Sequence, residues 1–271
     1  MRRVGLIAGN GIFPQVFARG ARDAGIEVIA VAHEGETLPE LEPLVSSLTW
    51  IKVGQLGRII EVFKRSGLDQ AVMAGGVRKT SLFENFAPDE RALKALSRLT
   101  RLGDDLVLRA MAEELEEEGI AVVESTLLVP DLLADDGVMT SRSPTEAQWA
   151  DIRYGMRVAE AAGHWDVGQS VVVKGGVVLA VEAIEGTDAA MRRGAELGKR
   201  DVVVVKMSKP GQDLRFDVPA VGLQTVDVCL EAGVAVLALE SGRTLMLDKA
   251  GLLAAADAHG LVVVGFRAES K

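Results

Sequence analysis

Short apolar runs alternate with segments of helical spacing along the first half of the chain. Residues 4–8 form an apolar run, Gly9-Asn10-Gly11 follows, and 14–24 carries apolar residues at helical spacing. Gly25 stops that helix, and 26–32 reads as a second buried strand. A third strand is predicted over 48–53, a helix over 56–66, and a fourth strand over 70–74, ending in Gly75-Gly76. The charged stretch 89–118 predicts two helices broken near Gly103, and 120–123 another strand. Wholly apolar strands separated by helices imply a parallel sheet covered on both faces, which makes the fold class α/β.

The pattern lapses around 132–144, where Asp135-Asp136-Gly137 and Ser141-Arg142-Ser143-Pro144 stand. The domain junction is placed there, giving an N-terminal domain 1–132 and a C-terminal domain 133–271. The second half resumes with a helix over 145–162. Strands over 171–174 and 177–183 then form a hairpin through Gly175-Gly176. A helix from about Asp188 and a strand over 202–206 lead into an irregular polar segment, 207–219. Helix 224–232, strand 234–239, helix 249–259 and strand 261–266 complete a second α/β pattern, with a mixed sheet. No sequence repeat recurs at a fixed period.

Composition narrows the classes. The chain has 271 residues, 48% of them hydrophobic and 25% charged, which is a globular balance. A formal net charge of −9 argues against a nucleic-acid partner, whose phosphates need clustered Lys and Arg. Cys229 is the single cysteine, so an intrachain disulfide and a cysteine zinc site are both excluded, and a reducing cytoplasm fits best. Despite a mean hydropathy of +0.22, no charge-free run approaches the roughly 20 apolar residues of a membrane helix. The basic start reaches the Gly9 loop too soon for a signal-peptide core. A soluble protein is expected.

Three segments carry candidate chemistry. Gly9, Asn10 and Gly11 sit between a strand and a helix, where a helix N-terminus offers free N–H groups to a phosphate. Pro14 occupies the place of the third glycine of a dinucleotide fingerprint, so a purely structural turn is the competing reading. Glu34 could mimic a ribose-binding carboxylate. Gly75, Gly76 and Val77 follow the fourth strand, with Arg78 and Lys79 adding charge; a generic loop is the alternative. The segment from Lys206 to Pro219 is the richest, because its cations suit phosphate oxygens and its carboxylates suit Mg²⁺ or a water. Incidental surface ion pairs are the alternative there. Glu182 ends an apolar strand and needs a partner or a metal if buried, and Thr187 or Asp188 can cap the following helix. Asp104 and Asp105 read as a helix start. Histidine is confined to His33, His164 and His259 in unrelated contexts, so hydrolysis would run on carboxylates and a hard metal.

Several of these segments resemble a known family when taken together and in order. They are 6–14, Ala74-Gly75-Gly76-Val77, Gly103-Asp104-Asp105, Val-Glu-Ala-Ile-Glu-Gly-Thr-Asp over 181–188 with Met191-Arg192-Arg193, and Lys-Pro-x-Gln-Asp-x-Arg-x-Asp-x-Pro over 209–219. They resemble the UDP-2,3-diacylglucosamine pyrophosphatases of the LpxI type, which act in lipid A biosynthesis. The resemblance implies an N-terminal Rossmann-like nucleotide-binding domain and a C-terminal α/β domain carrying the catalytic loop. It also implies Mg²⁺-dependent hydrolysis to UMP and 2,3-diacylglucosamine 1-phosphate, with water attacking the α-phosphorus. The aspartate of the Arg-x-Asp-x-Pro motif falls on Asp217, the expected catalytic carboxylate and Mg²⁺ ligand. Lys206 and Arg215 join it as catalytic cations, and Glu182 and Asp213 as further metal ligands. Substrate contacts are expected at Gly9, Asn10, Gly11, Gly75, Gly76, Val77, Glu185, Gly186, Thr187, Asp188, Lys209 and Gln212. A cytoplasmic protein in transient contact with the inner-membrane surface, with a possible homodimer, completes the expectation. The rivals are an NAD(P)-dependent oxidoreductase, resting on Gly9–Gly11 and Glu34, and a non-catalytic nucleotide-sugar-binding protein.

Overall fold

The computed structural model of the protein describes residues 2–78, 86–99 and 104–267, so Lys79 and Gly103 lie outside the described residues. The described chain forms two compact units. The first comprises Met1–Val129 together with Asp213–Asp217, and the second Pro130–Gln212 with Val218–Lys271.

In the first unit, β1 (Arg3–Ala8), β2 (Glu27–His33), β3 (Ser47–Ile51), β4 (Gln70–Ala74) and β5 (Ala121–Val122) form one all-parallel sheet in the order β3-β2-β1-β4-β5. Alternation along β1 explains its two-sided burial. Val4, Leu6 and Ala8 meet Phe17, Ala18 and Ala21 of α1 (Phe13–Asp23), while Ile7 packs on the other face with Ile59, Ile60 and Phe63 of α2 (Leu56–Arg65). Two further helices, α3 (Glu90–Ser97) and α4 (Asp104–Glu117), cover the α2 face through Ala92, Ala95 and Leu115. Phe216 belongs to that same core.

The second unit holds a mixed six-stranded sheet. Its strands are β6 (Gly137–Val138), β7 (Ser170–Lys174), β8 (Val177–Val181), β9 (Val202–Lys206), β11 (Val234–Glu240) and β13 (Val262–Phe266), in the order β6-β13-β11-β9-β7-β8. β9, β11 and β13 run parallel, whereas β6 and the β7–β8 hairpin bring the antiparallel pairs. Val203 and Val205 face Ile152 and Ala159 of α5 (Glu146–His164). Val202 and Val204 face Met191 of α6 (Thr187–Gly198), Cys229 of α7 (Leu223–Ala232) and Leu252 of α8 (Lys249–His259). Two short parallel strands, β10 (Ala220–Val221) and β12 (Leu245–Met246), pair beside it. The expected boundary at 132/133 falls three residues from the observed division. Asp213–Asp217, expected in the second domain, belong to the first unit. No helix among the described residues is long and apolar enough to cross a membrane.

Candidate active site

Strand order reverses between β1 and β4, and the loops after these strands meet there, at the edge where open parallel sheets bind ligands. The Gly9 N–H donates to Ala74 O at 2.8 Å and the Asn10 N–H to Gly76 O at 2.7 Å. A Cβ on Gly9 would lie 2.2 Å from Gly76 O, and one on Gly75 2.3 Å from Asn10 O. These two glycines are therefore required by loop-on-loop packing. Gly11 differs: its φ is +78° and a Cβ there would meet open space, so its demand is conformational.

Glu36 organises these loops and was not singled out from the sequence. Its side chain is 0% exposed. It accepts from Asn10 Nδ2 at 2.9 Å, from the Arg78 N–H at 3.1 Å and from Arg78 Nε at 3.1 Å. Glu34, the residue singled out for a ribose, is exposed, and its N–H donates to Ile51 O. Behind the loop, His33 Nδ1 donates to Ala8 O at 2.9 Å and Thr37 Oγ1 donates to the same carbonyl at 2.6 Å. Burial pushes the His33 pKa down, against the opposing pull of that carbonyl and of the Glu36 charge.

The second unit gathers another set at the carboxyl edge of its sheet. Glu182 follows β8, Lys206 ends β9 and Glu240 ends β11, and all three are buried. Thr187 Oγ1 donates to Glu182 Oε1 at 2.9 Å and accepts from Lys206 Nζ at 3.0 Å, so one hydroxyl links carboxylate and ammonium. The Gln169 N–H lies 3.4 Å from Glu182 Oε2. Burial of Glu182 is thus answered by hydrogen bonds. Thr187 does not cap its helix: the N-cap of α6 is Gly186 at φ +82°, with no side-chain cap, because the hydroxyl is turned to Glu182 and Lys206. Asp188 instead accepts from Gln224 Nε2 at 3.4 Å. Glu185 pairs with Arg193 at 2.6 Å; hydrogen bonding from its own backbone, and then Arg193, holds its carboxyl below the usual range. Next to Lys206, the Ser208 N–H and Oγ both donate to Glu240 Oε2, and Arg243 Nε donates to Ser208 Oγ at 2.7 Å. Lys209 Nζ donates to Asp166 Oδ1 at 2.6 Å, and its N–H to Gln212 Oε1 at 2.8 Å.

Asp213–Asp217 is fastened within the first unit. Arg215 grips Asp213 with Nε at 3.0 Å and Nη2 at 2.8 Å, donates Nη1 to Glu116 at 2.9 Å, and stacks on the Phe216 ring at 4.8 Å. Arg109 approaches Asp213 Oδ2 at 3.4 Å. Hydrogen bonding from Arg215 holds the Asp213 carboxyl below its usual range, so both groups stay ionised. Asp217 is exposed. Among the described residues no group of three or more His, Cys, Asp or Glu side chains could hold a metal ion by itself. Mg²⁺ keeps waters and is often held by one or two carboxylates plus substrate phosphates, whereas both oxygens of Asp213 are committed to Arg215.

Fold and site together define a two-unit α/β protein with polar, cation-bearing loops at the carboxyl edges of both sheets. Residues 3–132 match the LpxI N-terminal domain model and residues 135–264 the LpxI C-terminal domain model, so the chain belongs to the LpxI family. It is 35% identical to the UDP-2,3-diacylglucosamine pyrophosphatase LpxI of Caulobacter vibrioides, over 98% of each chain. Solved structures give only slight likenesses. The biotin carboxylase subunit of pyruvate carboxylase matches at 15% identity and TM-score 0.28, over 72% of this chain and 42% of that one. The N5-carboxyaminoimidazole ribonucleotide synthetase of Thermotoga maritima matches at 13% and 0.25, over 68% and 42%. This chain spans less than half the length of either.

Proposed function

We propose that this protein is a Mg²⁺-dependent UDP-2,3-diacylglucosamine pyrophosphatase of lipid A biosynthesis. The observation that carries the reading is the match to a pyrophosphatase of that name along nearly the whole chain. In the reaction, water attacks the α-phosphorus and the bond to the bridging oxygen breaks. UMP leaves with the new oxygen, and 2,3-diacylglucosamine 1-phosphate leaves with the bridging one. Asp217 orients the attacking water, from a backbone fixed by the Asp213–Arg215 fork and the buried Phe216 ring. Lys206 balances charge on the diphosphate and Lys209 supplements it, while Arg215, committed to Asp213 and Glu116, serves by holding the Asp217 backbone. Mg²⁺, held by Asp217 together with phosphate oxygens, would supply further charge neutralisation. Because the substrate carries two acyl chains, the protein visits the inner-membrane surface transiently from the cytoplasmic side.

UMP release from UDP-2,3-diacylglucosamine, assayed with Mg²⁺ and with EDTA, tests the reading. Wild type is expected to release UMP only with the metal. Asp217→Ala is expected to lose at least about 100-fold in kcat while melting as wild type, since its side chain is exposed. Near wild-type turnover in the folded variant removes Asp217 from the mechanism, and UMP release undiminished by EDTA removes the metal.

A further inference from the structure

We propose that Arg78 is a phosphate-binding residue, set in place by the buried carboxylate of Glu36, and that it takes the diphosphate of a nucleoside diphosphate. The nucleotide identity rests on the function proposed above; the phosphate site rests on geometry. Arg78 follows β4 at the point where the strand order of the first unit reverses. Glu36, which no step of the reaction uses, accepts from the Arg78 N–H and Nε, each at 3.1 Å, and Arg78 Nη2 donates to Gly35 O. A guanidinium has five N–H donors, and these bonds use two of them. The remaining donors make no hydrogen bond among the described residues, and the side chain is 61% exposed.

The inner edge of the guanidinium is thus fixed while its outer edge faces solvent, the arrangement that receives a phosphate bidentately with little ordering left to do. Asn10 Nδ2 completes the hold on Glu36 from the loop after β1, so three loops share one buried carboxylate. Stability alone explains this poorly. An exposed arginine pair contributes little, whereas a fully buried carboxylate is costly to desolvate. Glu36 is a positioning residue in this account, and Arg78 touches the ligand.

Calorimetric titration of UDP into the full-length protein tests the assignment, with thermal melts and steady-state UMP release measured alongside. Arg78→Ala is expected to weaken UDP binding at least about tenfold and to raise KM similarly, with kcat within about threefold of wild type. Arg78→Lys keeps the charge but loses the fork, so it is expected to fall with Arg78→Ala; it also carries the test if the alanine variant fails to fold. Glu36→Gln should show a smaller loss of the same kind, in KM and not in kcat. UDP affinity within twofold of wild type in a folded Arg78 variant overturns the proposal, as does a wild type that binds no UDP. A wild type that binds UDP through Arg78 yet releases no UMP sinks the hydrolase reading and leaves the phosphate site standing.

Discussion

His33 shows how a single buried group sets a pH response. Its imidazole donates to Ala8 O beneath the Gly9 loop, and burial depresses its pKa more than the carbonyl and Glu36 raise it. The unfolded chain therefore binds a proton near pH 6.5 that the folded chain still refuses. The stabilisation is fully present above that pH and is lost as pH falls toward the folded pKa. Urea midpoints at pH 7.5 and 5.5 should fall further for wild type than for His33→Gln; equal falls would clear His33 of the effect. The same neighbourhood marks where sequence reasoning reaches its limit. Glu34 was the natural ribose partner because it follows the strand directly, yet its N–H is still engaged with β3 and its side chain points to solvent. Glu36, two residues on, turns inward. Nothing in spacing separates two glutamates flanking a glycine; only Asn10 and Arg78, 26 and 42 positions away, decide between them.

Elements bounded by glycine and filled with apolar residues were legible. Strands Gln70–Ala74 and Val202–Lys206 and helix Lys249–His259 fall where the pattern puts them, and the Gly175-Gly176 hairpin pairs as expected. The two-residue strands β6, β10 and β12 were not foreseen, since so short a run has no period and its partner lies far along the chain. Another feature hidden from local pattern is shared capping. Asp89 caps α3 by accepting from the Ala92 N–H at 2.9 Å through Oδ1. Through Oδ2 it accepts from the Gly57 N–H, in the first turn of α2, at 2.7 Å. One carboxylate thus satisfies donors at two helix starts and lies at the positive end of both. Asp89→Ala should cost about 2 kcal/mol, twice an ordinary cap, and Asp89→Asn about half of that. Denaturant melts of both variants check it. A loss no larger than that of Thr145→Ala, which removes a capping box from α5 alone, would show that only one helix depends on Asp89.

At the scale of the whole molecule, sequence order and structural membership part company at one place. Asp213–Asp217 lies deep in the second half of the chain yet folds with the first unit, where Phe216 joins the core of Ile7, Ile59 and Phe63 and Arg215 reaches Glu116. No local pattern announces this, because a lone aromatic in a polar, proline-broken run reads as a loop residue until its pocket is known. On the role proposed for Asp217, stability and catalysis would meet in one side chain. Phe216→Ala empties a buried site and should cost about 3 kcal/mol. It also releases the backbone that presents Asp217, so kcat for UMP release should fall at a temperature where the variant is still folded. Phe216→Leu, which fills most of the volume, should recover much of both. If Phe216→Ala lowers the denaturant midpoint while leaving kcat untouched, the ring is only a core residue and the Asp213–Arg215 fork alone sets Asp217.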